Sequence, residues 1–223
     1  MERLVTLDHF AAVLRDAFAA GSEAMLIGGL AVGFWARRFG AYDDPSEVMY
    51  SKDADLRGDR ATYNLLVIVL KNHGIELTGG AIVTRKEPPG MGKSYVIQVA
   101  LPGIGRVSVE ILEKMPLVDS PDLPPQGFAV EVEGIRVLDP LSLMIGKTHA
   151  WNRRPAGQSD NDARHLRLLR KVVPLFLEEA CRRGIRGDAA ERARALLLIL
   201  DTWPLPFSPE ELAAFRAEVA AYS

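Results

Sequence analysis

An α+β fold followed by a helical carboxy-terminal region is predicted by three features of the 223-residue sequence. Segments with apolar residues at every second position, such as RVSVEIL at 106–112 and FAVEVEGIRVL at 128–138, alternate with segments of helical spacing up to about residue 138. From Asp139-Pro140 onward only helical spacing remains. Turn chemistry such as KEPPGMGK and LPGIG separates the strand segments. The expected organisation is an α+β domain over residues 1–138 and a helical region over 139–223 packing on it.

Each element follows in order. Phe10, Val13, Leu14 and Phe18 are spaced for a helix from Leu7 to about Ala20, stopped at Gly21. Met25–Ile27 reads as a short buried strand, Gly28-Gly29 as a turn, and Leu30–Phe39 as a helix. GAYDDPSEV is loop, Met49–Leu56 the next strand, and Arg60–Asn72 a helix ended by Gly74. Strands are expected at Ala81–Arg85, Ser94–Ala100 and Arg106–Leu112. The Pro-rich stretch Met115–Pro125 is a surface connection, and a hairpin is expected around Glu133-Gly134. Pro174 is expected near the start of a helix or kinking one.

Composition narrows the functional classes. Net charge is −2, so no global positive field recruits nucleic acid. Residues 147–186 nevertheless hold ten Lys/Arg against four Asp/Glu, a local +6 that reads as a solvated helix face or a modest polyanion surface. The single cysteine, Cys181, excludes an intrachain disulfide and a multi-cysteine metal site. MERLVTLDHF lacks the pattern of a signal peptide, and no apolar run is long enough to span a bilayer. The expectation is a soluble cytoplasmic protein with no membrane partner.

Three motif fragments are set aside. GMGKS at 90–94 resembles the end of a P-loop, but Glu87 stands where the first glycine is needed and a strand follows instead of a helix. GIGRVS at 103–108 lacks the third glycine of a dinucleotide fingerprint. His9, His73, His149 and His165 show neither HxxxH nor HxH spacing, so a zinc site is not indicated.

The informative residues lie elsewhere. In SKDADL, strand alternation puts Asp53 and Asp55 on one face with Ala54 opposite. Two neighbouring carboxylates repel unless a cation neutralises them, and Mg²⁺ takes a few carboxylates plus water and substrate phosphate. On a solvent-facing edge the same pair would be merely hydrophilic. In RVSVEIL, Arg106, Ser108 and Glu110 share a face, so Glu110 is an acid among strong β-formers that either pairs a base or completes a metal site. A strand turning through Gly28-Gly29 into a helix exposes backbone N–H groups where a phosphate can approach, although a plain structural turn has the same pattern.

Taken together, these pieces resemble a known family. The order of a glycine turn with its helix (IGGLAVGFW), an acid-pair strand (SKDADL) and a third acidic strand (VEIL) is similar to the nucleotidyltransferase fold of the DNA polymerase β superfamily. GIRVLDPLSLMIGKTHAWNRR followed by SDNDARHLRLL narrows the resemblance to the AbiEii-type bacterial nucleotidyltransferases, many of which are toxins of toxin–antitoxin pairs. The similarity covers about Ala24 to Leu169.

The resemblance implies a nucleotidyltransferase-like mixed β-sheet flanked by helices, with a C-terminal helical bundle. It implies Asp53, Asp55 and Glu110 as ligands of Mg²⁺ or Mn²⁺, and Gly28 and Gly29, with Ser51 and Lys52, on the triphosphate. Lys147 would neutralise phosphate charge, Asp162 would orient it or a neighbouring base, and Arg153 or Arg154 would fill the family's arginine position. The implied reaction moves an NMP from an NTP to an acceptor hydroxyl on RNA, such as tRNA, or on protein, with a cognate antitoxin as partner. Alternatives are a small-molecule (aminoglycoside-like) acceptor, or a degenerate module that binds without chemistry. Three departures from the family pattern are a Glu in place of the commoner third Asp, a long acidic loop with Asp43, Asp44 and Glu47, and Ser159 where an Asp would align.

Overall fold

The computed structural model describes residues 5–44, 51–84, 93–115, 129–153, 160–184 and 186–223, apart from the side chains of 81–84 and 186. The architecture is mixed α/β, as the sequence predicts, with a helical carboxy-terminal portion. By its internal contacts the chain divides into two units, and the boundaries cut across the sequence. One comprises Met1–Phe34, Val48–Met115 and Ala129–Leu138; the other comprises Trp35–Glu47, Pro116–Phe128 and Asp139–Ser223.

The first unit is built on a seven-stranded sheet. Its strands are β1 (Met25–Ile27), β2 (Asp53–Arg57), β3 (Glu76–Thr84), β4 (Lys93–Leu101), β5 (Gly105–Leu112), β6 (Ala129–Val132) and β7 (Ile135–Leu138). They lie in the order β3-β4-β5-β2-β1-β7-β6. The β2/β5 and β1/β7 pairs are parallel and the remainder antiparallel, so the sheet is mixed. A 3₁₀ turn (Leu7–His9) leads into α1 (Ala11–Ala19), and α3 (Arg60–Asn72) follows β2. Helix α1 packs on α3 and β7, and α3 packs on β3 and β4.

Local chemistry explains these elements. The Asp59 carboxylate caps α3 by accepting from the Thr62 backbone N–H at 2.9 Å, which holds its pKa below the usual carboxylate value. The expected hairpin forms, with positive φ at Glu133 (54°) and Gly134 (73°), the pattern of a type I′ turn. Strand β3 begins earlier than the predicted Ala81. Gly79 and Gly80 pair with Gln98 and Ile97 beyond a bulge after Leu77. At Gly80 a Cβ would fall 2.9 Å from the Tyr63 hydroxyl, so this glycine lets α3 approach the sheet and marks no turn.

Other boundaries also differ from expectation. Among the described residues of the strand predicted at Met49–Leu56, Asp53–Leu56 lie in β2, which runs on to Arg57, and Ser51 forms an isolated bridge with Val5. The predicted helix over 7–20 is split into the 3₁₀ turn and α1. Residues 45–50, which hold the end of the predicted loop and the start of the predicted strand, most of KEPPGMGK, and residues 116–128, which hold nearly all of the Pro-rich connection, lie outside the described residues.

The second unit is helical. It holds α4 (Pro140–Arg153), α5 (Asp160–Arg183), α6 (Arg186–Thr202) and α7 (Pro209–Ala220), which pack pairwise on one another. The Asp139 carboxylate caps α4 from a fully buried position, accepting from the Ser142 N–H at 2.9 Å, and Pro140 takes the first helical position. Helix α5 buries Leu166, Leu169, Val172, Val173, Phe176 and Leu177 along one stripe, and Pro174 sits in its interior. Trp35, at 1% exposure, meets Phe176 edge-to-face at 5.4 Å.

Candidate active site

The site begins at the junction of β1 with α2 (Gly28–Arg38). The sequence predicts a Gly-Gly turn before a helix at Leu30; in the structure Gly28 is already the first helical residue. Its φ is +69°, a left-handed conformation that costs an L-residue free energy. Antiparallel pairing sets Ile27 opposite Asp55, and this lays the Asp55 side chain directly against Gly28. A Cβ at Gly28 would fall on the Asp55 carboxylate, 2.8 Å from its Cγ. Gly28 is therefore fixed twice, by its backbone and by the acid on the neighbouring strand. Both Gly28 and Gly29 belong to the first turn of α2, where N–H groups have no partner within the helix.

The third acid comes from the parallel neighbour. The β2/β5 register sets Asp53 beside Ser108 and Asp55 beside Glu110. Burial alternates on both strands: Ala54, Leu56, Val107, Val109 and Ile111 are buried, whereas Asp53, Asp55, Ser108 and Glu110 are half-buried. One face of the sheet is thus apolar core, and the other carries three carboxylates across two adjacent strands. Ser51 donates from its Oγ to Asp53 Oδ1 at 3.2 Å. Its own backbone is held by two hydrogen bonds to Val5, so Ser51 positions the first acid. Lys52 is exposed beside it.

Three carboxylates form a hard-oxygen donor set, the chemistry that Mg²⁺ and Mn²⁺ prefer. Among the described residues, no three His, Cys, Asp or Glu side chains are already gathered as a metal cage.

The remaining predicted residues belong to the second unit. On α4 and α5, Lys147 Nζ donates to Asp162 Oδ1 at 3.2 Å, with side-chain exposures of 15% and 1%. One turn along α5, His165 Nδ1 lies 3.8 Å from the same Asp162 oxygen, and neither ring nitrogen makes a hydrogen bond. Burial drives the His165 pKa down to about 4, against the opposing pull of Asp162. Arg153 is exposed at the last residue of α4; Arg154 and Ser159 lie outside the described residues.

Two features escaped the sequence reading. Arg57 continues the Asp53, Asp55 alternation and puts a cation on the acidic face; extending the period by one more step would have found it. Asp43 and Glu211 flank basic side chains of α5. These partners are far apart in the chain, and no spacing rule links them.

No family model matches the chain, and no curated protein matches it in sequence. Among solved structures, the chain is similar to the polyadenylate synthase of Megavirus at 12% identity and a TM-score of 0.48. That match covers 81% of this chain and 37% of the other, so the chain spans little more than a third of that protein's length. It is also similar to the antibiotic-resistance factor ANT(2'')-Ia in solution (14% identity, TM-score 0.47, 96% of this chain and 93% of that one). A crystal structure of ANT(2'')-Ia in complex with adenylyl-2''-tobramycin is similar at 15% identity and a TM-score of 0.43, over 85% and 94% of the two chains. Among the described residues, no helix is long and apolar enough to cross a membrane.

Proposed function

We propose that this chain is a metal-dependent nucleotidyltransferase that moves an NMP from an NTP to an acceptor hydroxyl on RNA or protein, in the manner of a toxin–antitoxin toxin. The observation that carries the reading is the seating of Asp55 on Gly28. It puts the acid-bearing strand against the first turn of a helix whose free N–H groups suit a phosphate. The Asp55–Glu110 register then supports a three-acid face of the kind such chemistry uses.

In this reading Asp53, Asp55 and Glu110 hold Mg²⁺ or Mn²⁺, which when bound neutralises triphosphate charge and lowers the barrier to displacement at phosphorus. The first turn of α2, from Gly28 and Gly29, binds the triphosphate. The acceptor oxygen bonds to the α-phosphorus as the α–β bridge breaks. Pyrophosphate leaves with the bridging electrons, and the acceptor proton passes to a carboxylate of the acidic face. Ser51 keeps Asp53 oriented by donating to its Oδ1. Positioning and charge neutralisation do most of the catalytic work in such a site.

The test is incubation of the protein with each α-labelled NTP, Mg²⁺, and either cell RNA or protein extract. Label transferred to one fraction, and lost in Asp53→Ala, is the expected result. No transfer from any NTP to either fraction overturns the proposal.

A further inference from the structure

Helix α5 carries a second concentration of charge that the proposed reaction does not use. Arg164, Arg167, Arg170 and Lys171 line a pocket of about 450 Å³ together with Leu168, Asp43 and Glu211. At 1.5 Å rise per residue, Arg164, Arg167 and Lys171 follow one helix face over about 10 Å.

The six charged groups have different duties. Arg170 Nη2 donates to Glu211 Oε1 at 3.0 Å, and its guanidinium lies over the Phe207 ring at 5.6 Å. The other oxygen of Glu211 accepts from the Ser208 N–H at 2.9 Å in the capping box of α7. Arg170 and Glu211 are thus a fixed wall. Asp43 differs: it meets Lys171 at 2.5 Å from a loop, with its side chain 88% exposed. An ion pair that exposed is weakly held, so a ligand of higher charge displaces it. Four of the lining side chains are cations and two are acids, and arginine forks match phosphate oxygens in pairs.

We propose that this pocket is a phosphate-binding site that takes two or three phosphate groups of one ligand, with Asp43 as a displaceable stand-in for them. The groups come either from a free polyphosphate or from the backbone of an RNA strand. The site is composed wholly of second-unit residues and does not depend on the nucleotidyltransferase reading.

The test measures binding without divalent cation in the Asp55→Asn background, so that the candidate active site contributes neither metal nor catalysis. The probes are inorganic tripolyphosphate, by calorimetry, and a fluorescein-labelled single-stranded RNA of about 12 nucleotides, by anisotropy. At least one probe is expected to bind, with affinity falling steeply with salt. Arg167→Glu with Lys171→Glu should weaken it about tenfold or more. Asp43→Asn should tighten it about two- to fivefold, a gain that misfolding cannot imitate. Tripolyphosphate binding alone identifies a free polyphosphate as the source, and RNA binding alone identifies a strand. The proposal is overturned if neither probe binds at low salt, or if the double charge reversal leaves binding unchanged.

Discussion

Replacing Gly28 with alanine tests the contact on which the candidate active site rests, and the structure supplies its own control. Gly28 has φ +69° and Gly74 has φ +68°, so the backbone cost of a Cβ is the same at both, about 1–2 kcal/mol. Their surroundings differ. A Cβ at Gly74 meets nothing within 4 Å, whereas at Gly28 it collides with the side chain of Asp55. Forcing a methyl group into occupied space costs about 1–3 kcal/mol more. Urea denaturation with an unchanged m-value should therefore show Gly74→Ala destabilised by about 1 kcal/mol and Gly28→Ala by about 3 kcal/mol. Asp55→Gly removes the colliding atoms, so the double-mutant cycle should return about 1–3 kcal/mol of coupling. Equal losses at the two glycines, or a cycle with no coupling, would refute the seating of Asp55 on Gly28.

Further outcomes can be measured independently. Asp53→Ala and Asp55→Ala should each lower nucleotidyl transfer by about a hundredfold or more while circular dichroism stays native; retained transfer in either sinks the metal-site assignment. Lys147→Met removes one ion-pair partner of the buried Asp162 carboxylate and should cost about 1–3 kcal/mol, seen as a lowered denaturant midpoint. His165 has a folded pKa of about 4 against an ordinary 6.5. The unfolded chain therefore binds the extra proton between those values, and stability falls as pH drops from about 6.5 to about 4. The loss amounts to about 3 kcal/mol over that window. His165→Phe should flatten that part of the stability–pH curve, and an unchanged slope would remove His165 as its source.

Much of this protein is legible in the sequence, because the deciding forces act over a few residues. Alternation places Asp53 with Asp55 and Arg106, Ser108 with Glu110, since a strand turns successive side chains to opposite faces. The helical spacing after Asp139 and the hairpin at Glu133-Gly134 are likewise local. Where prediction slipped, a distant residue had intervened. The strand predicted from Ala81 begins earlier and takes in Gly79 and Gly80, where Tyr63 of α3 needs the space above Gly80. Ser51 leaves the predicted strand to bridge Val5, nearly fifty residues earlier.

The sequence by itself determined which residues carry acid, base and glycine and which face of its own element each occupies. Only the tertiary structure decided that β5 lies parallel beside β2 with Glu110 opposite Asp55, and that Asp55 rests on Gly28. It also decided that Asp43 and Glu211 converge on the cations of α5. Strand order and register are set by burying whole apolar faces at once, a sum over the entire sheet that no local window contains.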